Sequence, residues 1–318
     1  ARNVRRENNY DLYPEKPVLV KEKVKSNWGL TLFSIIIFIA SFLIFFTNQI
    51  NFVFFLIFVL FFHEIGHFLL MKKFKYENVR MLFIPLMGAF VQGSKERYSQ
   101  RESLLVVLAG PIPGVVVGCI TIVIASQYQL QWALTLSFIF LFLNTINLLP
   151  LDPLDGGQLF KLLVHRQRDF FMMLFALGSS LLMIVVGLLL NDWLVIIFGF
   201  FMGIRVRGMQ QNYQLRKELE ELEVNYFSTY DELSNRDYAM IKGLLMERNK
   251  TLRKYASISE DDISQVIASH VNGLLIAPII KDASWRMKII LICFWVFAFI
   301  VPFLLFLNLD FNWYFENI

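Results

Sequence analysis

Cysteine is nearly missing from this chain. Among 318 residues only Cys119 and Cys293 occur, far apart and each in an apolar run. That excludes a disulfide framework and a zinc site built from thiolates. Charge is scarce as well: 18% of residues are Asp, Glu, Lys or Arg, against 56% hydrophobic and 16% aromatic, with 33 phenylalanines. Such a balance excludes an ordinary soluble domain. The net charge of +4 gives no case for a nucleic-acid partner. No cleavable signal peptide is read, since the first apolar run follows 27 mostly polar residues. No internal duplication is visible, which weighs against the paired repeats of many transporters. What the chain does have is apolar runs long enough to span a bilayer.

One ionisable cluster interrupts those runs. From Asn51 to Met71, 21 residues, the only ionisable side chains are His63, Glu64 and His67. A helix of that length covers roughly the ~30 Å bilayer core. Residues four apart stack on one helix face, so both imidazoles can meet one ion and Glu64 can reach a water that the ion holds. An unpartnered carboxylate here costs at least ~2.5–3.5 kcal/mol, which makes the cluster a functional candidate. The plainer alternative is two core histidines and a glutamate turned into a polar cavity.

Taken in order, residues 1–27 form a basic segment placed in the cytoplasm. Spans are read at about 28–47, 51–71, 103–126, 132–149, 170–190 and a marginal 193–204. Together with a hairpin at 76–98 they make a membrane-embedded region, 28–204. Lys72, Lys73 and Lys75 put His67 ~8 Å and His63 ~14 Å from the cytoplasmic end of their helix. The hairpin strands flank Pro85 to Gly88 and read either as a passive cytoplasmic loop or as a re-entrant edge for an extended substrate. Ala109-Gly110-Pro111-Ile112-Pro113-Gly114 implies a kink or a close helix contact. Residues 205–288 read as a helical cytoplasmic domain, with Leu215, Leu219 and Leu222 at helical spacing and a capping box at Ser257 to Glu260. A last span, 289–307, leaves the tail 308–318 outside. The fold expected is an all-α polytopic membrane protein of about seven transmembrane helices, with a short re-entrant β-hairpin and a small helical cytoplasmic domain.

A catalytic zinc keeps three protein ligands and one open position. His63 and His67 supply two, and the candidates for the third are Asp155, Asp152, His165, Glu102 and His270. Asp155 is favoured, because Pro153 and Gly156-Gly157 break the helix and set its carboxylate on irregular backbone at membrane depth. Asp152 is the rival. His270 reads as a packing or surface residue. Zinc lowers the pKa of bound water from 15.7 to about 7. Glu64 then takes the proton and passes it to the leaving amine. Asn144 or Asn147 can donate to the oxyanion, or simply bond between helices.

With His63-Glu64-Ile65-Gly66-His67 in one span and Asn147-x-x-Pro150-x-x-x-Leu154-Asp155-Gly156 ending another, the chain resembles the site-2 protease family, the intramembrane zinc metalloproteases. The resemblance covers roughly residues 51–165. It implies one Zn²⁺ per chain held by His63, His67 and Asp155, with Glu64 catalytic and Asn147 assisting the substrate. Ile84 to Val91 is similar to the family's glycine-containing hairpin, which makes Pro85, Gly88 and Phe90 candidate substrate contacts. Met87 and Ala89 disturb its usual glycine pair, Gly114 stands where many members have Asn, and Asp152 where many have a neutral residue. Neither a PDZ-like nor a paired CBS-like pattern is seen. The family implies cleavage in or beside the transmembrane helix of a membrane-protein substrate, often already trimmed by another protease, whose released fragment frequently regulates transcription. A bacterial cell membrane is the expected setting. The other readings are a proteolytically inactive, metal- or helix-binding relative and a metal-linked transporter.

Overall fold

Nothing between Ile50 and Lys73 breaks a helix, and these 24 residues form one, α2. Lys72 and Lys73 occupy its last turn, where cations suit the negative end of the helix dipole. The computed structural model describes residues 13–20, 28–45, 49–84, 88–163, 168–191, 193–249, 252–253 and 260–310. The basic N-terminal residues before 13, the Ser257 end of the capping box, His165, Pro85 and the tail beyond 310 lie outside them. Two compact units divide the chain.

The larger unit comprises 23–95, 99–203 and 280–318. It contains α1 (Trp28–Phe45), α2, the strands β1 (Glu77–Ile84) and β2 (Gly88–Ser94), α3 (Gln100–Leu108), α4 (Pro111–Tyr128), α5 (Gln131–Asn147), α6 (Asp155–Leu163) and α7 (Arg168–Leu190). The helix α11 (Trp285–Asn308) also belongs to it. Among the described residues four helical stretches are long and apolar enough to cross a membrane: Ile50–Lys73, Gln100–Tyr128, Asp169–Leu190 and Trp285–Asn308. Leu32–Ile44 and Gln131–Asn147 are shorter apolar helices. The most apolar window, in α11, is only 11% buried, with Phe294, Phe297 and Phe303 exposed. In water such a surface invites association; in hydrocarbon it is solvent contact. The chain is a membrane protein on these grounds.

The expected span 103–126 lies within the apolar stretch Gln100–Tyr128, and its expected kink is a turn at Ala109 and Gly110 that parts α3 from α4. Pro111 has no N–H to continue the ladder, so the helix restarts there. Small residues then let α4 and α5 close up. A Cβ on Gly114 would lie 2.3 Å from the Asn144 amide, and one on Gly118 would lie 2.7 Å from Leu141. Leu104, Leu108, Ile122, Leu134, Leu148 and Leu159 fill the resulting core. Phe140 packs edge-on to Phe62 of α2, with centroids 5.4 Å apart. β1 and β2 pair antiparallel from Ile84↔Gly88 outward, with an irregularity between Glu77 and Arg80. Gly88 opens β2 at φ +110°, a conformation that side chains disfavour.

The second unit, 1–22, 96–98 and 204–279, is helical. Its core of Leu219, Ile241, Leu244, Leu245, Ile267 and Val271 joins α8 (Trp193–Glu221), α9 (Asn235–Arg248) and α10 (Glu260–Leu274). The apolar stretch 193–204 is not an element of its own. It opens the 29-residue α8, because Arg205 and the residues after it are good helix formers.

Candidate functional site

One turn of α2 brings His63 and His67 to a single face, with ring centroids 4.9 Å apart. Asp155 reaches them from the first position of α6. Its Oδ2 lies 3.1 Å from His63 Nε2 and 3.3 Å from His67 Nε2, and the two Nε2 atoms are 3.1 Å apart. An ion with tetrahedral bonds of ~2.0–2.1 Å sets its ligand atoms about 3.3 Å apart, so the donor set fits one. Among the described residues this is the group of histidine and carboxylate ligands that could hold a metal.

The outer nitrogens fix the tautomers. His67 Nδ1 lies 2.7 Å from the Val106 carbonyl oxygen and donates to it. His63 Nδ1 lies 2.7 Å from Asn144 Oδ1. Because Asn144 Nδ2 donates to the Phe140 carbonyl, its oxygen is the acceptor, and His63 Nδ1 carries the proton. Each ring then turns its Nε2 toward the other and toward Asp155. With both Nε2 atoms unprotonated the three would be acceptors in contact that a cation among them relieves, as in an imidazole–metal site with its outer-shell partners.

Backbone proximity makes the floor of this site. A Cβ on Gly110 would lie 2.4 Å from His67 Nε2 and 2.9 Å from His63 Nε2, and one on Gly66 would meet the Ala109 carbonyl oxygen at 2.0 Å. Glu64 is buried, 6% exposed, and its carboxyl accepts the Val91 N–H of β2. The stretch 148–154 that delivers Asp155 is held from three sides. Trp295 Nε1 donates to the Leu148 carbonyl at 2.7 Å, the Asp152 N–H donates to Ser179 Oγ at 3.1 Å, and the Asp152 carboxylate pairs with Lys161. Gly156 and Gly157 abut the Leu148 and Leu151 carbonyls, where a Cβ would stand 2.0 and 2.2 Å away.

Two expectations change here. Asp155 does not sit on irregular backbone but starts α6, where a carboxylate is favoured by the dipole. Asp152, only 2% exposed, is not grouped with the histidines; its carboxylate is taken by Lys161. Of the remaining candidates, Glu102 pairs with Lys95 at the start of α3. His270, on α10, is exposed and turns Nδ1 to the Val266 carbonyl. Asn147 ends α5 half-buried, and Phe90 is exposed on β2. Sequence reasoning missed Val106, Asn144 as a partner of His63, and Lys161. Asn144 and Asn147 share one face at i, i+3, so spacing alone cannot divide their roles.

Fold and site together define a class: a helical membrane protein with a group of two histidines and one aspartate that could hold a metal ion. The sequence goes further, for residues 51–131 match the model of peptidase family M50. Zinc metalloprotease MJ0392 of Methanocaldococcus jannaschii is 24% identical over 149 residues, 44% of this chain and 43% of that protein. Stage IV sporulation protein FB of Bacillus subtilis is 27% identical over 122 residues, 36% of this chain and 41% of that protein. The chain thus spans less than half the length of either relative. A solved site-2 protease from Methanocaldococcus jannaschii aligns with a TM-score of 0.42 and 22% identity, over 55% of this chain and 87% of that one. Residues 51–131 are thus similar to peptidase family M50, and the stretch shared with MJ0392 is similar to part of a zinc metalloprotease.

Proposed function

We propose that this chain is a zinc-dependent endopeptidase that hydrolyses a peptide bond in or near the transmembrane helix of a membrane-protein substrate. The observation that carries the reading is the convergence of His63 Nε2, His67 Nε2 and Asp155 Oδ2 close to the buried Glu64 carboxyl. His63, His67 and Asp155 would hold one zinc ion per chain. When bound, the ion supplies Lewis acidity and lowers the pKa of a water to about 7. Glu64, its carboxyl held by the Val91 N–H, receives a proton and returns it to the leaving amine. Asn147 is the candidate contact to the substrate carbonyl, since Asn144 is engaged with His63. Gly88, Phe90 and Pro85 mark the hairpin as the rest for an extended substrate stretch, which β2 would pass across Glu64.

Seven crossings suit the chain: α1, α2, α3 with α4, α5, α7, the apolar start of α8, and α11. Residues 13–20 and 204–279 belong to one unit, and six crossings between them keep both on one side. The basic flanks make that side the cytoplasm of a bacterial cell. The metal group then lies toward the cytoplasmic face and the tail 308–318 outside. The domain boundaries follow as 1–27, 28–204, 205–288, 289–307 and 308–318.

The test is cleavage of a transmembrane reporter by the purified protein and its Glu64→Gln variant, with bound zinc assayed in both. The variant is expected to keep zinc and to lose about 10²–10⁴-fold in rate. Zinc in both with cleavage in neither, across a panel of membrane substrates, would favour a non-proteolytic relative. Absence of zinc from the wild type would overturn the metal reading itself.

A further inference from the structure

We propose that residues 204–279 form a peptide-docking module for an extended segment of the pattern Lys-Pro-x-Leu, and that Lys16-Pro17-Val18-Leu19 of this chain is its resident ligand. The lysine is read by main-chain carbonyls. Lys16 Nζ lies 2.6, 3.0 and 2.6 Å from the oxygens of Tyr230, Asp231 and Leu233, and 5.3 Å from the Tyr230 ring centroid. Three acceptors around one nitrogen match the three N–H bonds of an ammonium. A guanidinium nitrogen carries at most two N–H bonds, both in the guanidinium plane, so the cage selects lysine over arginine.

Side chains of the module read the ligand's backbone. The Lys16 N–H donates to Asn235 Oδ1 at 3.1 Å, and the Pro17 carbonyl accepts the Tyr230 hydroxyl at 2.8 Å. Proline has no N–H to satisfy, so nothing is left over at that position. The Gln265 amide then acts as a neighbouring strand would. Its Nε2 donates to the Val18 carbonyl at 2.9 Å, and its Oε1 accepts the Val20 N–H at 3.1 Å. That pair of bonds requires an extended backbone, and the side chains alternate accordingly. Val18 and Val20 are exposed at 83% and 65%, while Leu19 packs against the core of Ile241, Ile267 and Val271. One carbonyl cage for a side chain, one apolar socket and a clamp on the ligand backbone are the parts of a peptide-recognition site. None of them needs the ligand to be covalently joined to the module.

The experiment compares the intact protein with the same chain lacking residues 1–22, using a fluorescent peptide of residues 12–21. The truncated chain is expected to bind the peptide and the intact chain to bind far less, because its site is filled from within. Peptides with Lys16→Met or Lys16→Arg are expected to bind at least about tenfold more weakly, the loss of charge-assisted hydrogen bonds. Equal binding to both chains, or equal binding of the three peptides, overturns the proposal. So does no binding by a truncated chain whose α9 amides remain protected from hydrogen exchange. If truncation unfolds the module, the Lys16→Met variant of the intact chain decides. Exchange of the Val20 amide should quicken about tenfold while α9 stays protected, and unchanged exchange at Val20 overturns the proposal.

Discussion

The orientation of His63 depends on a single side-chain oxygen, that of Asn144, which is itself held by the Phe140 carbonyl. Asn144→Leu is therefore expected to weaken zinc binding by about 10–100-fold, measured by competition with a chromophoric chelator. Asn144→Asp, which keeps an acceptor, should retain most of the affinity, and circular dichroism should be unchanged in both. Gly110 is a second sensitive position. Gly110→Ala should abolish zinc retention, because its Cβ would stand 2.4 Å from His67 Nε2; Gly178→Ala, with nothing within 4 Å, should leave zinc content untouched. The two histidines were legible from sequence because one helical turn fixes their relation. The Asn144 and Val106 partners were not, since they depend on how α5 and α3 are rotated against α2, and spacing within one helix says nothing about that.

Elements carry Asp155, the candidate third ligand, into place. Lys161 of α6 pairs with Asp152, and both are almost wholly buried, at 9% and 3% side-chain exposure. Lys161→Met would take the ammonium from a buried carboxylate and is expected to cost about 3–5 kcal/mol, read as a fall in thermal unfolding temperature. Adding Asp152→Asn should recover most of that loss, since the buried negative charge is gone. The break between α3 and α4 was legible because Gly110-Pro111 cannot continue a helix. The length of α8 was not. A change from apolar to charged residues at Arg205 marks where the solvent changes, and without a breaker the helix runs on to Glu221. Helix α6 opens at Asp155, where irregular backbone was expected, because an acidic residue followed by glycines can open a helix as readily as it can end a turn.

For the whole molecule, the count of crossings is open to a direct measurement. In a Cys119→Ser/Cys293→Ser background, Glu15→Cys and Asn225→Cys should react with an impermeant maleimide from the same face of sealed vesicles. Gln129→Cys, at the exposed loop between α4 and α5, should react only from the other. Labelling of positions 15 and 225 from opposite faces would contradict both the six intervening crossings and the docking of residues 13–20. The membrane character of the chain was plain from composition alone. The partnership between the N-terminal segment and residues 204–279 was not, because contacts such as Lys16 with the turn at 230–233 span more than two hundred positions and leave no periodic trace.

The two histidines differ in what secures them, and the difference bears on how the centre would decay. His67 leans on the Val106 carbonyl, a main-chain atom present whatever residue stands at 106. His63 leans on Asn144, which a single codon change removes. Under relaxed selection the proposed metal group would fail from the His63 side first, and a lineage that had lost metal binding would be expected to carry its earliest lesion at position 144 while the His-Glu-x-x-His run still read as intact.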